Sequence, residues 1–355
     1  DGIAEFTEIP NGQHQIIISF LGFETFKTTI QIPNNNELVF KLKEGGNQLD
    51  AVVLQSTRST RTVRKIPTRI EFIGAEELGE KVIMNPTNIS MVLRESTGIQ
   101  MQRTSLSSGS TNIRIQGLDG RYTQLLRDGF PLYGGFSSGL SILQIPPLDL
   151  QQFEIIKGSS STLYGGGAIA GLVNMVSKTP DEEPALDIML TQTQALGSTA
   201  NVFYSKRNEK FGVSLYGSGH YQKAYDPEDD GFSNLPKTTS ISFNPKLFYY
   251  PSDKTTLWFG LNGTYDDRIG GDITKIESGE NGIHQYTEEN NSKRLSSQLV
   301  YQTQLDSVSS LEFKNSVSFF DRNLTVPDFN FDGKQTNTFT EITYNTASEK
   351  TDWIV

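Results

Sequence analysis

Residue types that commonly carry out chemistry are scarce in this sequence. It has three histidines and no cysteine among 355 residues, so thiol chemistry and disulfides are excluded. His14, His220 and His284 are far apart and lack the spacing of metal ligands. Three glycines at 165–167 could cradle a phosphate, but no Gly-Lys-Ser/Thr sequence follows them. Because no nucleophile–base set is present either, we predict that the protein is not an enzyme.

Two acidic stretches could bind calcium through their carboxylate oxygens. They lie at residues 226–231 and 328–333, in polar parts of the chain. In the second, Phe339 stands where an EF-hand loop has its bidentate glutamate. We favour solvated loops over calcium sites for both, and expect neither a resident metal nor a cofactor.

The overall charge and hydropathy exclude two further classes. A net charge of −10 argues against nucleic acid as a partner, so we interpret the basic run between Arg58 and Arg69 as a solvated segment. The mean hydropathy is −0.39 and no run of about 18 apolar residues occurs, which excludes a transmembrane helix. A transmembrane β-barrel stays open, because its strands alternate apolar and polar residues.

The centre of the chain, residues 112–180, consists of short β-prone runs separated by glycine turns. Its four segments are Asn-Ile-Arg-Ile-Gln-Gly at 112–117, Arg-Asp-Gly-Phe-Pro at 127–131, Phe-Glu-Ile-Ile-Lys-Gly at 153–158 and Tyr-Gly-Gly-Gly-Ala to Val-Asn at 164–174. Asp-Gly is a hairpin-type dipeptide, since glycine tolerates positive φ. The last glycine cluster allows close backbone approach before a final strand.

These four segments, in this order, resemble the plug domain of TonB-dependent outer-membrane receptors. The resemblance implies a plug over residues 59–182. Start signals in the sequence predict short helices near Gly74 and Asn85, and the second would place Ile89, Val92 and Leu93 on one core-facing side. The resemblance implies that the plug loops point outward to the ligand, so the expected substrate-binding residues are Arg103, Tyr133 and Phe136. It also implies that charges on plug strands pair with the barrel wall. The expected plug–barrel contacts are Arg114, Glu154 and Lys157.

From residue 183 to 355 the pattern changes to alternation with a period of two. For example, Phe211, Val213 and Leu215 alternate with Gly212 and Ser214. Runs of about ten such residues are what a membrane-spanning strand requires. We predict roughly eight strands here, the first part of a transmembrane barrel that needs about 22 strands to enclose a plug.

The predicted connections between these strands alternate in length. Short ones lie at 207–210, 251–254 and 306–309, and long polar ones at 222–239, 268–293 and 322–337. Short turns alternating with long outer loops are typical of outer-membrane barrels. A soluble β-sandwich is the alternative, but its connections need not alternate.

The N-terminal region adds two predicted pieces. Residues 1–44 resemble the C-terminal half of the carboxypeptidase-regulatory-like β-sandwich that Bacteroidetes-type receptors carry before the plug. Residues 45–58 form a linker with a short β-prone segment, whose position matches the TonB box; an edge strand is the alternative. The predicted TonB box comprises Asp50, Ala51, Val52, Val53 and Leu54. Such a segment can add a strand to a partner's sheet.

The predicted fold is thus mainly β: a small β-sandwich fragment, an α+β plug domain and the first part of an antiparallel transmembrane β-barrel. The resemblance implies an outer-membrane receptor that imports a ferric siderophore, haem or cobalamin with energy from TonB. Its expected partners are TonB, the outer-membrane bilayer, the metal chelate and a possible surface lipoprotein. The alternative is a SusC-like oligosaccharide importer, which Lys157-Gly158-Ser159 disfavours because that branch typically has Lys-Asp-Ala there.

Overall fold

In the computed structural model of the chain, residues 9–18, 26–33, 38–41, 70–132, 141–160, 164–347 and 352–355 are described. The described residues fall into two compact units, an N-terminal one and one that contains everything from Ile70 onward. Among them, no helix is both long and apolar enough to cross a lipid bilayer.

The N-terminal unit contains an antiparallel hairpin. Strands β1 (Gly12–Ile18) and β2 (Phe26–Ile32) pair from Gly12 opposite Ile32 to Ile18 opposite Phe26. The β-prone runs at 16–20 and 27–32 predict these two strands. The run at 38–42 predicts a third strand, which is wrong over its described part, since residues 38–41 form no strand. The assignment of residues 1–44 to a half β-sandwich stays a prediction.

The α+β part of the second unit, residues 70–177, is called the plug below. Its strands are β3 (Ile70–Ile73), β4 (Ile99–Arg103), β5 (Thr111–Ile115), β6 (Thr123–Arg127), β7 (Phe130–Pro131), β8 (Leu150–Lys157) and β9 (Gly171–Ser177). Its α-helices are α1 (Ala75–Met84) and α2 (Ser90–Arg94), and short 3-10 helices lie at Gly120–Tyr122, Ser141–Gln144 and Gly165–Ala168.

The plug is built on a mixed five-stranded sheet in the order β3-β8-β9-β6-β7, beside the separate pair β4-β5. Only the β6–β9 pairing is parallel in this sheet. Ile89, Val92 and Leu93 are buried in its core, as their helical spacing predicts. The close approach expected at the glycine cluster occurs at Gly171, where a Cβ would lie 2.1 Å from the Ile156 carbonyl oxygen.

The rest of the second unit is one antiparallel sheet, called the wall below. Its strands are β10 (Ala185–Gln192), β11 (Gly197–Arg207), β12 (Phe211–Gln222), β13 (Lys237–Phe243), β14 (Lys246–Ser252), β15 (Thr255–Gly271), β16 (Thr287–Gln304), β17 (Ser309–Val326), β18 (Phe329–Ala347) and β19 (Asp352–Ile354). Over the described residues they follow one another in sequence order, with β13 and β14 both lying between β12 and β15. The fold class is therefore mainly β, a plug followed by part of a β-barrel, as predicted.

The two faces of the wall differ in polarity, as the alternation predicts. On the outer face of β10, Leu186, Ile188 and Leu190 are 61%, 61% and 76% exposed. On the inner face of β11, Asn201 and Phe203 are buried against the plug. Successive residues of these strands therefore point alternately to the lipid and to the lumen that holds the plug.

One wall strand is broken by proline. β13 ends at Phe243 and β14 begins at Lys246, and both pair with β12 and β15. Pro245 between them has no N–H to donate to the ladder. The break lets Asn244 and Lys246 both lie buried on the plug side.

Two features of the outer connections differ from expectation. The predicted loop at 322–337 is wrong, because β17 and β18 continue through it. They pair from Val326 opposite Phe329, beside the turn, to Ser309 opposite Thr346. The turn between them holds Asp328 at φ 63°, a conformation that aspartate tolerates. The loop at 268–293 is shorter than predicted and contains a third helix, α3 (Ile273–Ser278). The predicted short turns at 207–210, 251–254 and 306–309 are confirmed.

Candidate plug–barrel interface

A buried polar site of the second unit surrounds the turn between β6 and β7. Asp128 and Gly129 form this turn with φ values of 53° and 79°. Positive φ at both central residues gives the hairpin turn that Asp-Gly favours. The turn therefore projects the Asp128 carboxylate and the Phe130 ring from the plug toward the wall.

The Asp128 carboxylate joins the plug to the wall. It accepts hydrogen bonds from the backbone N–H of Ser177 at 2.8 Å and from the Ser177 hydroxyl at 3.0 Å. It also pairs with the Lys246 ammonium of β14, and both side chains are at least nine-tenths buried. Burial alone would raise the pKa of Asp128, but the charges of Lys246 and Arg127 outweigh it and hold the pKa below its ordinary value. The carboxylate is therefore charged at neutral pH.

A second buried ion pair lies beside the first. Arg127 pairs with Asp149 inside the plug, and its Nε donates to the Ser177 hydroxyl at 3.3 Å. The Asp149 carboxylate also accepts a hydrogen bond from the Asn244 amide of the wall at 2.7 Å. Two acids of the plug thus receive donors from wall residues on either side of the proline break.

The Phe130 ring packs into aromatic side chains of the wall. Its centroid lies 6.1 Å from Trp258 of β15 and 5.8 Å from Phe339 of β18, edge-on to both. The Lys246 ammonium lies 4.8 Å above the Trp258 ring, within cation–π range. Phe130 is 1% exposed, so the contact excludes water around the ion pair.

A third set of contacts lies toward the outer loops. Arg103 donates to the backbone carbonyl of Asn234 at 2.9 Å, which places this predicted substrate-binding residue between plug and wall. The Ser105 hydroxyl donates to Glu288 of β16 at 2.5 Å. Substrate binding by Arg103 stays a prediction.

Gln144 connects the middle of the plug to β16 through both ends of its amide. It donates to the Ser292 hydroxyl at 2.7 Å and accepts from the Arg294 guanidinium at 3.0 Å. Gln144 is 2% exposed, so its amide is fully enclosed by the interface.

The three predicted plug–barrel contacts have described partners inside the plug. Lys157 pairs with Glu71 and the Thr97 carbonyl. Glu154 is fully buried and accepts from Gln152 and Asn174. Two of these partners, Glu71 and Asn174, lie on β3 and β9, the strands that flank β8 in the plug sheet.

The guanidinium of Arg114 donates at 3.5 Å to the Gly117 carbonyl in the same plug. Pairing of Arg114, Glu154 and Lys157 with the wall is not seen among these bonds and stays a prediction. Described contacts that do reach the wall include those of Asp128, Asp149 and Phe130.

Several predicted residues lie outside the described residues. These are Tyr133, Phe136 and the TonB box from Asp50 to Leu54. Among the residues that the structure describes, no group of three or more His, Cys, Asp or Glu side chains is placed to hold a metal. In the acidic stretch at 226–231, Asp226 instead accepts from the backbone N–H of Glu228 and of Gly231, which closes the turn.

Sequence reasoning missed the wall partners Asn244, Lys246 and Trp258. One signal was present, because Leu247 belongs to the outer apolar series and the period of two places Lys246 on the inner face. An inward lysine needs an acidic partner. That partner is Asp128 of the Asp-Gly turn, 118 residues away, and only the fold brings the two together.

Comparisons with known proteins agree with this architecture. Residues 62–172 match the family described as TonB-dependent Receptor Plug Domain. Among curated proteins, the chain is 26% identical over 211 residues to the ferrichrome outer membrane transporter/phage receptor of Escherichia coli (strain K12), covering 58% of this chain and 27% of that protein. It is 23% identical over 204 residues to the vitamin B12 transporter BtuB of Photobacterium profundum, covering 55% and 33%. The match thus spans about a third or less of these relatives' length.

Solved structures share the fold. The ferric citrate transporter FecA in its unliganded form aligns with a TM-score of 0.62 at 16% identity, covering 79% of this chain and 45% of that chain. The ferric-catecholate import receptor Fiu from E. coli K12, in its open form, aligns with a TM-score of 0.58 at 13% identity, covering 81% and 47%. A plug seated against an antiparallel wall defines the class of plugged outer-membrane barrels. Residues 62–172 therefore belong to the TonB-dependent receptor plug domain family, and the chain as a whole is similar to such receptors in sequence and shares their fold.

Proposed function

We propose that the receptor containing this chain imports a scarce metal chelate across the outer membrane, with energy that TonB transmits. The observation that carries this proposal is a plug held against the wall by a buried ion pair and aromatic contacts. A plug held in this way blocks free diffusion, so passage of a ligand needs work on the plug. The protein acts as a transporter and not as an enzyme.

The proposed substrate is a ferric siderophore, haem or cobalamin. The names of the relatives, a ferrichrome transporter and a vitamin B12 transporter, support this class over a SusC-like oligosaccharide importer. We further propose that Arg103, Tyr133 and Phe136 contact the ligand. The position of Arg103 at an outer junction of plug and wall supports its part in this.

Abundance and uptake together test the substrate. Native cells grown with and without iron should differ strongly in receptor abundance if the cargo is a siderophore or haem. Cells that express the full-length receptor should then accumulate labelled chelate, and unlabelled chelate should compete. Accumulation of a maltooligosaccharide with no uptake of any chelate would overturn the proposal.

The proposed partner at the periplasmic side is TonB, and residues 50–54 are the proposed contact. A proline at Val52 removes a strand hydrogen bond, so Val52→Pro should abolish uptake and leave chelate binding unchanged. Asn47→Pro, in the linker before the segment, is the matched control and should transport normally. Normal uptake by the Val52 variant would refute the TonB box. A surface lipoprotein as a further partner stays a prediction.

A further inference from the structure

The Asp128-Gly129-Phe130 turn lies in a recess of the wall formed by residues distant in sequence. We call this recess the turn socket; its described members are Lys246 of β14, Trp258 of β15, Lys314 of β17 and Phe339 of β18. These strands span a run of neighbours in the sheet. One turn of the plug thus contacts a broad section of the wall.

Charge in the socket complements charge on the turn. Lys246 pairs directly with Asp128, and a Cβ on Gly129 would lie 2.9 Å from the Lys314 ammonium. Ser177 of β9 donates two hydrogen bonds to the Asp128 carboxylate. The carboxylate is thereby held to the plug sheet, and its ion pair with Lys246 connects that sheet to the wall. Removing one partner of such a buried pair leaves the other charge without compensation.

The socket differs from a more exposed ion pair at the junction of plug and wall. Lys178, directly after β9, pairs with Asp187 of β10 at 2.8 Å, with side chains 31% and 44% exposed. An exposed pair of this kind is screened by water and contributes little. The buried and exposed pairs therefore offer a matched test of which contact holds the plug.

We propose that Lys246 is the positioning residue that keeps the plug seated, acting through Asp128, and that the turn must leave its socket during each transport cycle. Release of the turn rests on the proposed import function, whereas seating of the plug by Lys246 does not. Seating of the plug closes the receptor when no transport occurs, which we call the resting seal, and this seal does not depend on the identity of the cargo.

The first experiment measures the resting seal in cells that lack TonB. Lys246→Met in the full-length receptor should raise entry of a bulky hydrophilic glycopeptide antibiotic by about tenfold, because a buried carboxylate loses its partner. Lys246→Arg retains the charge and should restore the seal, and Lys178→Met should stay within about twofold of the parent. Receptor abundance in the membrane is measured in parallel.

Two results would overturn the seal. One is a Lys246→Met receptor at normal abundance that admits no more antibiotic than the parent. The other is a leak of equal size in the arginine variant, because shape and not charge would then matter. If Lys246→Met fails to assemble, Asp128→Asn provides the same test from the plug side, since it removes the charge and retains the shape.

The second experiment tests release of the turn. The chain has no cysteine, so Phe130→Cys with Phe339→Cys creates a single pair of thiols on the two sides of a contact whose parent ring centroids are 5.8 Å apart. A bifunctional methanethiosulfonate reagent that bridges the two thiols should stop uptake of the chelate, and reduction of the bridge should restore it, with chelate binding unchanged in both states. Full uptake by the bridged receptor would refute release. If no chelate is imported by any form, the import function fails, and the antibiotic measurement still decides the seal.

Discussion

The last strand of the plug, β9, and the first strand of the wall, β10, have opposite burial patterns. Every residue of β9 is buried, whereas β10, which begins eight residues after β9 ends, alternates between half-buried and exposed positions. β9 lies between two other strands of the plug sheet with protein on both faces. β10 has lipid on one face and the lumen on the other. The environment on each face, and not the strand itself, decides which residues it carries.

The comparison also explains what holds each region together. The plug core is apolar, with Phe153, Ile155 and Val173 fully enclosed. The inner face of the wall also buries polar side chains: Asn201 and Ser292 are 0% and 2% exposed, and they bond to the Pro86 carbonyl and the Gln144 amide of the plug. Buried polar groups need hydrogen-bond partners. The plug–wall interface is therefore stabilised by specific hydrogen bonds and ion pairs, whereas the plug core is stabilised by close apolar packing.

The largest expected effect is in the plug core. Phe153→Ala should lower the free energy of unfolding by about 3–5 kcal/mol, since a cavity remains where the ring was. Phe319→Ala on the outer face of β17 is the control: that ring is 53% exposed and leaves no enclosed cavity. Its loss should be about 1–2 kcal/mol from apolar area alone.

Urea titration of the refolded full-length receptor in detergent measures both variants. Protease resistance of the plug and heat-modifiable migration of the barrel report the two regions separately. An equal or larger loss for Phe319→Ala would contradict the contrast between a packed core and a lipid-facing surface.

The next effect tests the two faces of the wall. Val317 of β17 faces outward, and a lysine there should destabilise the barrel by about 2–4 kcal/mol near the bilayer midplane. Asn337→Lys is the control, because Asn337 is exposed on the inner face at the next register position, opposite Ser318. The measurement is the unfolding free energy in lipid vesicles. Equal losses in the two variants would show that the faces are assigned wrongly.

The sequence predicts those elements whose cause is local. Alternation identified the wall strands, and Asp128-Gly129 identified its own turn, because the required φ values suit these residues. Helical spacing identified Ile89, Val92 and Leu93 as core. In each case the residues that predict the element lie within the element itself or next to it in sequence.

Features that depend on distant partners could not be predicted. Residues 322–337 are mostly polar and read as a loop, yet cross-strand pairing extends β17 and β18 through them and sets Leu324 opposite Phe331. Lys157 clearly needed an acid, but Glu71, 86 residues away, is supplied by the order of strands in the plug sheet. A buried charge predicts that a partner exists and leaves its identity to the topology.

The smallest effect concerns the closest approach between plug and wall. A Cβ on Gly270 of β15 would lie 1.8 Å from the carbonyl oxygen of Ser107 in the plug, whereas nothing lies within 4 Å of a Cβ on Gly219 of β12. Gly270→Ala should therefore displace the 103–110 loop and cost about 1–3 kcal/mol, the usual penalty of overpacking. Gly219→Ala should be neutral or slightly stabilising, since alanine has less backbone entropy to lose.

Limited proteolysis of the folded receptor separates these outcomes, because a displaced loop is cleaved faster while the wall stays intact. Faster cleavage in Gly270→Ala alone would place the steric limit at the interface. Equal cleavage in the two alanine variants would mean that the loop yields without cost, and that the plug is held by its charged and aromatic contacts and not by close backbone packing. The glycine pair thus tests directly whether shape or bonding governs the interface.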